Sequence, residues 1–366
     1  MKVESTKENL FESISLAERV SGKNLPLPIL NSILLSAQGK KFSIRATNLE
    51  IGIESEISAK VVREGEVAVP GGILTQTLAS LYEDSPVALE VVQGNLSLTT
   101  PHGKTLIKAL PSDEFPTIPL LKDTPTLSLK RDDILRGLKS VWYSASHSTV
   151  KPEISSVYLY LHDQKLFFVA TDSFRLAEKV IPSPALSSFE PLLIPIRSVP
   201  EIVRVLERSD ENVSVRIGTN QIVFASPKLY LTSRLLNGVF PDYRQIIPKG
   251  STTEAVVLKQ DFLSALKKIT VFSDKFNQVG LHVSPAKKKL TLSSKNPDIG
   301  ETVETIDAAL SGDELDINFN HRYLTDCFQS FNTDSISLLF SGLSKPLIIK
   351  GISDTSFLYL VMPMNR

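Results

Sequence analysis

The chain has 366 residues, is 42% hydrophobic, and carries 40 basic side chains against 40 acidic ones. That length exceeds one typical domain of about 100–200 residues and leaves room for three. There is no apolar run of about 18 residues, so no membrane span is expected, and the opening Met1-Lys2-Val3-Glu4 lacks the apolar stretch of a secretion signal; a cytoplasmic protein is expected. Balanced charge argues against strong intrinsic affinity for nucleic acid, although a basic inner face can hide within a neutral total. The single cysteine, Cys327, excludes an internal disulfide and a Cys-based zinc site. It lies in an apolar-periodic segment and reads as a buried structural thiol.

The first predicted element is a helix over residues 7–20, with Leu10, Ile14 and Ala17 at helical spacing, Phe11 alongside and Thr6 as N-cap. Gly22 and the stretch Pro26-Leu27-Pro28 end it. Strands are predicted over 29–35 and 42–46, then a second helix over 72–82 striped by Leu74, Leu78 and Leu81. Strands resume at 87–92 and 96–99 around the turn Gln93-Gly94-Asn95, with a last strand at 105–110. The same order returns with helices over 131–145 and after Pro195 to 207, and a strand pair at 213–217 and 221–225. It returns again with helices near 259–272 and 321–331 and a final strand at 358–362.

Short phrases mark the copies. Ala46-Thr47-Asn48 returns as Ala170-Thr171-Asp172 and weakly as Ser293-Ser294-Lys295. Val69-Pro70 returns as Ile194-Pro195 and Phe319-Asn320; Phe115-Pro116 returns as Phe240-Pro241 and Met362-Pro363. A period near one third of the chain means a repeated domain, not a solenoid unit of about 20–50 residues. The expected fold class is α+β, each domain packing two helices on largely antiparallel sheet. The expected boundaries are 1–121, 122–249 and 250–366, joined by short proline-containing linkers that favour a fixed arrangement.

The predicted helices of the second and third copies are biased toward basic residues. Lys130, Arg131, Arg136 and Lys139 belong to one; Arg197, Arg204 and Arg208 to the next; Lys259, Lys267 and Lys268 to the third. If equivalent helices line one surface, it would touch phosphates without reading bases. For any single lysine a solvated helix face is the better explanation, and only the repetition on several equivalent helices brings the two readings level.

Catalytic signatures are missing. Gly103-Lys104-Thr105 looks like the end of a phosphate-binding loop, but Leu98 stands where its first glycine belongs, and the setting is a hairpin. There is no His-Glu-x-x-His and no Gly-x-Ser-x-Gly. The five histidines show no ligand spacing. The chain reads as a non-enzyme without metal or cofactor.

Several phrases in this order resemble the bacterial replicative sliding clamp family, the beta subunit of DNA polymerase III. They are Leu27-Pro28-Ile29-Leu30, Ala46-Thr47-Asn48-Leu49-Glu50, Asp113-Glu114-Phe115-Pro116, Ala170-Thr171-Asp172 with Arg175-Leu176-Ala177, Phe240-Pro241-Asp242-Tyr243-Arg244, and Val361-Met362-Pro363-Met364. The resemblance spans the whole length. It implies three clamp domains per chain and a head-to-tail homodimer closed into a ring around duplex DNA, with helices inside and sheets outside. It places Ile107 at the seam, facing Val271 and Phe272. It implies a peptide pocket formed by Thr171, Arg175, Leu176, Pro241, Ile246, Asn320, Tyr323, Ser344, Pro346, Leu360, Val361, Met362, Pro363 and Met364. Apolar walls with adaptable methionines suit a groove that accepts several related peptides.

Lys23, Arg136, Lys139, Lys151, Arg197, Arg204 and Lys267 become the candidate DNA contacts. The implied partners are the replicative DNA polymerase, a clamp loader, repair polymerases, ligase and mismatch-repair proteins. Three departures stand out: Phe174 beside the pocket, Lys151-Pro152-Glu153 near a DNA-contacting loop, and the ending Asn365-Arg366. An alternative is a clamp-fold scaffold that binds partner peptides without encircling DNA.

Overall fold

The computed structural model describes residues 1–22, 27–83, 85–121, 126–127, 129–184, 186, 188–209 and 213–364. Lys23 and the ending Asn365-Arg366 lie outside the described residues. Six α-helices are present among them: α1 Lys7–Val20, α2 Gly71–Ala79, α3 Arg131–Val141, α4 Val199–Glu207, α5 Lys259–Thr270 and α6 His321–Asp326. None is long and apolar enough to cross a membrane.

Local chemistry explains where they start and which face they bury. Thr6 caps α1, its Oγ1 accepting from Asn9 N at 3.4 Å, a contribution of about 1 kcal/mol. Leu10, Ile14, Ala17 and Val20 form the buried stripe of α1. In α5 the stripe is Phe262, Ala265, Leu266 and Ile269. Asn320 caps α6 by accepting from Arg322 N at 2.9 Å.

Several predicted boundaries shift. Residues 28–31 form a 3-10 turn, because Pro28 sits in its first turn and lacks a ladder donor; the strand begins at Ser32. The helix expected to reach residue 145 ends at Val141 and tightens into the 3-10 turn Trp142–Ser144. The helix expected to reach 331 ends at Asp326, followed by the 3-10 turn Cys327–Ser330. Residues 103–107 form one arm of a hairpin, with Gly103 opposite Thr100, so Gly103-Lys104-Thr105 has no strand-to-helix setting for phosphate.

The chain divides into two compact units. One comprises Met1–Asp132 and Arg197–Leu235; the other comprises Asp133–Ile196 and Leu236–Arg366. Both cut across the middle third of the sequence, for a reason visible in the sheets. In the first unit, the strand Leu229–Arg234 pairs antiparallel with Ile51–Ile57, fusing strands of the first and middle thirds into one eight-stranded sheet. In the second unit, Arg175–Pro182 pairs antiparallel with Asp354–Val361, fusing middle and last thirds into a nine-stranded sheet. Hydrogen-bonded sheets, not the sequence repeat, set the compact units.

Each unit has a smaller sheet with a rim strand that no strand pairs on its outer side among the described residues. The first unit's five-stranded sheet ends at Gly103–Ile107, and the second unit's four-stranded sheet ends at Gly300–Asp307.

Candidate functional site: an apolar cluster on the second unit

The groove is built where the strand Arg175–Pro182 meets the strand Asp354–Val361. Arg175 stands opposite Val361, and Leu176 opposite Leu360. A tight loop precedes Arg175. Thr171 Oγ1 donates to Arg175 O at 2.7 Å and accepts from Ser173 N at 3.1 Å. Asp172 Oδ1 accepts from Phe174 N at 2.9 Å and Arg175 N at 3.0 Å. Ser173 adopts φ 78°, a region where a small residue is least strained. The loop is then locked to the chain end, because Met362 N donates to Phe174 O at 2.8 Å.

Beneath the loop lies an apolar floor. Leu176, Leu360, Phe240 and Tyr243 form one buried cluster with Val169 and Leu193, and Met362 packs against it half-buried. Fully burying one such aliphatic side chain contributes about 1.5–3 kcal/mol. The Tyr158 ring stacks on Phe240 with centroids 4.7 Å apart. Burial, reinforced by the charge of the neighbouring Glu178 carboxylate to which it donates a hydrogen bond, pushes the Tyr243 hydroxyl far up, so it stays a neutral donor.

The predicted pocket residues fall into distinct roles. Leu176, Leu360 and Met362 form the floor, and Val361 is fully buried behind it. Pro241 and Ile246 are exposed on either side of the buried Tyr243. Met364 N donates to Asn318 O at 2.8 Å, which fixes the segment containing Pro363. Asn320 acts as the cap of α6, which carries Tyr323. Ser344 is exposed and Pro346 buried, just before the strand whose Leu347 pairs with Val361.

Arg175 behaves differently from a contact residue. Its Nε donates to Asp172 Oδ2 at 3.0 Å, its Nη1 to Asp326, and its Nη2 to the Tyr143 carbonyl at 2.6 Å. The guanidinium also lies 4.5 Å from the centroid of the Tyr323 ring. Its fork is consumed within the protein. Asp326 and Tyr143, which hold it, were missed in the sequence, because they come from elements 151 and 32 residues away. Phe174 is 61% exposed, in the loop that ends at Arg175.

Two of the candidate DNA contacts carry ion pairs on their own helices. Arg136 is joined to Asp133, and Arg204 to Glu201 at 2.7 Å, each one turn back on its helix. Lys139, Lys151, Arg197 and Lys267 are exposed. Of the seam candidates, Val271 is exposed and Phe272 half-buried, whereas Ile107 is only 4% exposed, packed within its own unit; Leu106 faces outward on that rim.

One repeat assignment is corrected. Leu110 N donates to Ala68 O, Leu236 N to Leu193 O, and Met364 N to Asn318 O, at 2.9, 2.9 and 2.8 Å. These three bonds are the same bond in three copies. Met364 therefore corresponds to Leu236, and Met362-Pro363 is not the counterpart of Phe240-Pro241. The third copy's dipeptide directly follows the strand Asp354–Val361, and only its side chains resemble the other two.

The comparisons with known proteins agree over the full length. Residues 1–119, 128–242 and 244–365 match the N-terminal, central and C-terminal domains of the DNA polymerase III beta subunit. The chain belongs to the DNA polymerase III beta subunit family, the bacterial sliding clamps, and has its three clamp domains. The beta sliding clamp of Synechococcus elongatus is 30% identical over 100% of this chain and 99% of its own. The DNA polymerase III beta subunit of Thermotoga maritima superposes with a TM-score of 0.93 at 25% identity, covering 100% of this chain and 99% of that one. The Bartonella birtlesii sliding clamp bound to griselimycin gives 0.92 at 25% identity, with 100% of both chains covered.

Proposed function

We propose that this chain is one half of a homodimeric ring that encircles duplex DNA and tethers the replicative DNA polymerase by a short peptide held in the groove. The observation that supports the reading is the apolar cluster of Leu176 and Leu360, with Met362 packed half-buried against it, beside a loop locked by backbone hydrogen bonds. Such a site gives an extended peptide apolar anchors. Tethering raises the polymerase's effective concentration at the template without any new polymerase–DNA contact.

The two unpaired rims support the ring. Gly103–Ile107 of one copy pairs with Gly300–Asp307 of the other, and the reverse, which closes after two copies. Leu106, Val271, Phe272 and Val303 flank that seam. An open edge of this kind otherwise invites aggregation. The domains run 1–121, 122–249 and 250–366. Lys139, Lys151, Arg197 and Lys267 make salt-sensitive phosphate contacts. A separate loader opens the ring, and repair polymerases, ligase and mismatch-repair proteins compete for the same groove.

The test is anisotropy of a fluorescent peptide with glutamine, leucine and phenylalanine anchors. Met362→Asp is the informative variant, since Met362 is half-buried; Leu176→Asp would bury a charge at a site 1% exposed and unfold the groove. Saturable binding that Met362→Asp abolishes supports the tether, and binding that the variant leaves intact sinks it. The pairing of Arg136 and Arg204 with acids favours a second reading, a scaffold that never encloses DNA. Retention on nicked circular DNA, with release on linearisation, would exclude that reading.

A further inference from the structure

A second groove sits in the first unit, on the other copy of the same backbone frame. Thr47 Oγ1 donates to Ile51 O at 2.9 Å and accepts from Leu49 N at 3.0 Å. Asn48 Oδ1 accepts from Glu50 N at 3.0 Å and Ile51 N at 2.9 Å. Leu49 adopts φ 74°, and Arg234 N donates to Glu50 O at 2.7 Å. Every one of these has its counterpart around Thr171, Asp172, Ser173 and Met362. Here the loop and strand ends line a cavity of 370 Å³.

The side chains on that frame have changed character. The cross-strand pair Leu176–Leu360 is replaced by Gly52–Thr232. Ile118 fills the space over Gly52, 3.3 Å from where a Cβ would lie. Thr232 Oγ1 and Gln221 Oε1 meet at 3.3 Å, giving a polar floor. Arg234 stands where Met362 stands in the other groove. It is exposed, and no carboxylate pairs with it among the described residues. Glu50 takes the place of Phe174 beside it, which disfavours a run of acids.

We propose that this groove is a second peptide site, and that it takes an extended segment carrying a single carboxylate aimed at the Arg234 guanidinium. The polar floor receives the peptide backbone, and the exposed Leu49 offers one apolar contact. An unpaired guanidinium fork matches a carboxylate in two parallel hydrogen bonds. The assignment rests on the reading of the first groove as a peptide site, since the shared frame is its warrant.

The experiment uses the full chain and a fluorescent acetyl-Ser-Leu-Asp-Leu-Ser-amide, with the asparagine version as its control. The apolar-anchored peptide runs in parallel. The site predicts saturable binding of the aspartate peptide, weakened about tenfold by Arg234→Gln or by the asparagine control, and unchanged by Met362→Asp. Methyl spectra locate the peptide independently: Ile118 and Leu49 methyls shift, and the Met362 methyl does not. Loss of binding in Met362→Asp, or indifference to Arg234→Gln, overturns the assignment. Failure of the aspartate peptide alone overturns it and leaves the first groove standing; failure of both peptides removes both.

Discussion

Arg175 and Asp326 lie 151 residues apart in sequence, yet the Arg175 Nη1 donates directly to the Asp326 carboxylate, joining a sheet strand to the helix α6. With Asp172 and the Tyr143 carbonyl it completes a satisfied network around an arginine side chain that is 10% exposed. Breaking a buried pair by removing one partner costs about 3–5 kcal/mol, because the other partners keep their desolvation without compensation. Asp326 is partly open to solvent, which places the expected loss near the lower end. Arg175→Met should lower the denaturant midpoint accordingly. In Asp326→Asn, which keeps a neutral acceptor, the loss should be smaller. Equal stability of Arg175→Met and the native chain would contradict the structural role.

Gly137 faces the Phe168 ring so closely that an added Cβ would lie 2.3 Å from a ring carbon. Alanine is normally the better helix residue by about 1 kcal/mol. Here overpacking dominates, and Gly137→Ala should destabilise by about 1–3 kcal/mol. Pairing it with Phe168→Leu should recover part of that loss in thermal melts.

His321 is buried at the start of α6, and its pKa is lowered chiefly by that burial, with Arg322 adding and Asp274 opposing. The unfolded chain takes up the proton first as pH falls below about 6.5. The contribution is therefore complete above that value and is lost as pH falls through it toward the lower folded value. Urea midpoints at about pH 7.5 and about pH 5.5 should fall further for the native chain than for His321→Gln. A parallel fall in both would show that other groups carry the dependence.

Cys327 is fully buried, and burial with the nearby Asp326 charge raises its thiol pKa well above the ordinary range. Thiolate is the reactive form. A thiol reagent should label the native protein only as fast as the structure opens, and should react at once after unfolding in denaturant. Prompt labelling of the native chain would mean that the segment around the 3-10 turn Cys327–Ser330 is loosely packed.

The legible parts of this fold were those written in local chemistry. Helix α1 matched its predicted range because an N-cap and an apolar stripe both mark it. The hairpin at Gly103 was visible in its turn residues. The Thr171–Asp172 turn could be read as a repeat of Thr47–Asn48, but not as a hydrogen-bond frame. Arg175 was identified as a pocket residue, yet its true partners come from distant elements that no periodicity reveals. Helix α6 looked longer because Cys327 and Phe328 continue its apolar pattern through a change to 3-10 geometry. The third copy of the Phe-Pro phrase was misplaced for the opposite reason: composition matched while backbone position did not.

The middle third lends its strands to two different sheets, and this decides how the protein can be dissected. A fragment cut at the sequence repeats would carry Leu229–Arg234 and Arg175–Pro182 with their outer partners stripped away. Bare strands of that kind recruit whatever edge is nearest. The middle third, which reads in the sequence as one of three equal copies, is therefore the one least suited to life as a recombinant product. A protease would find its cuts elsewhere, in the connections that leave both sheets whole.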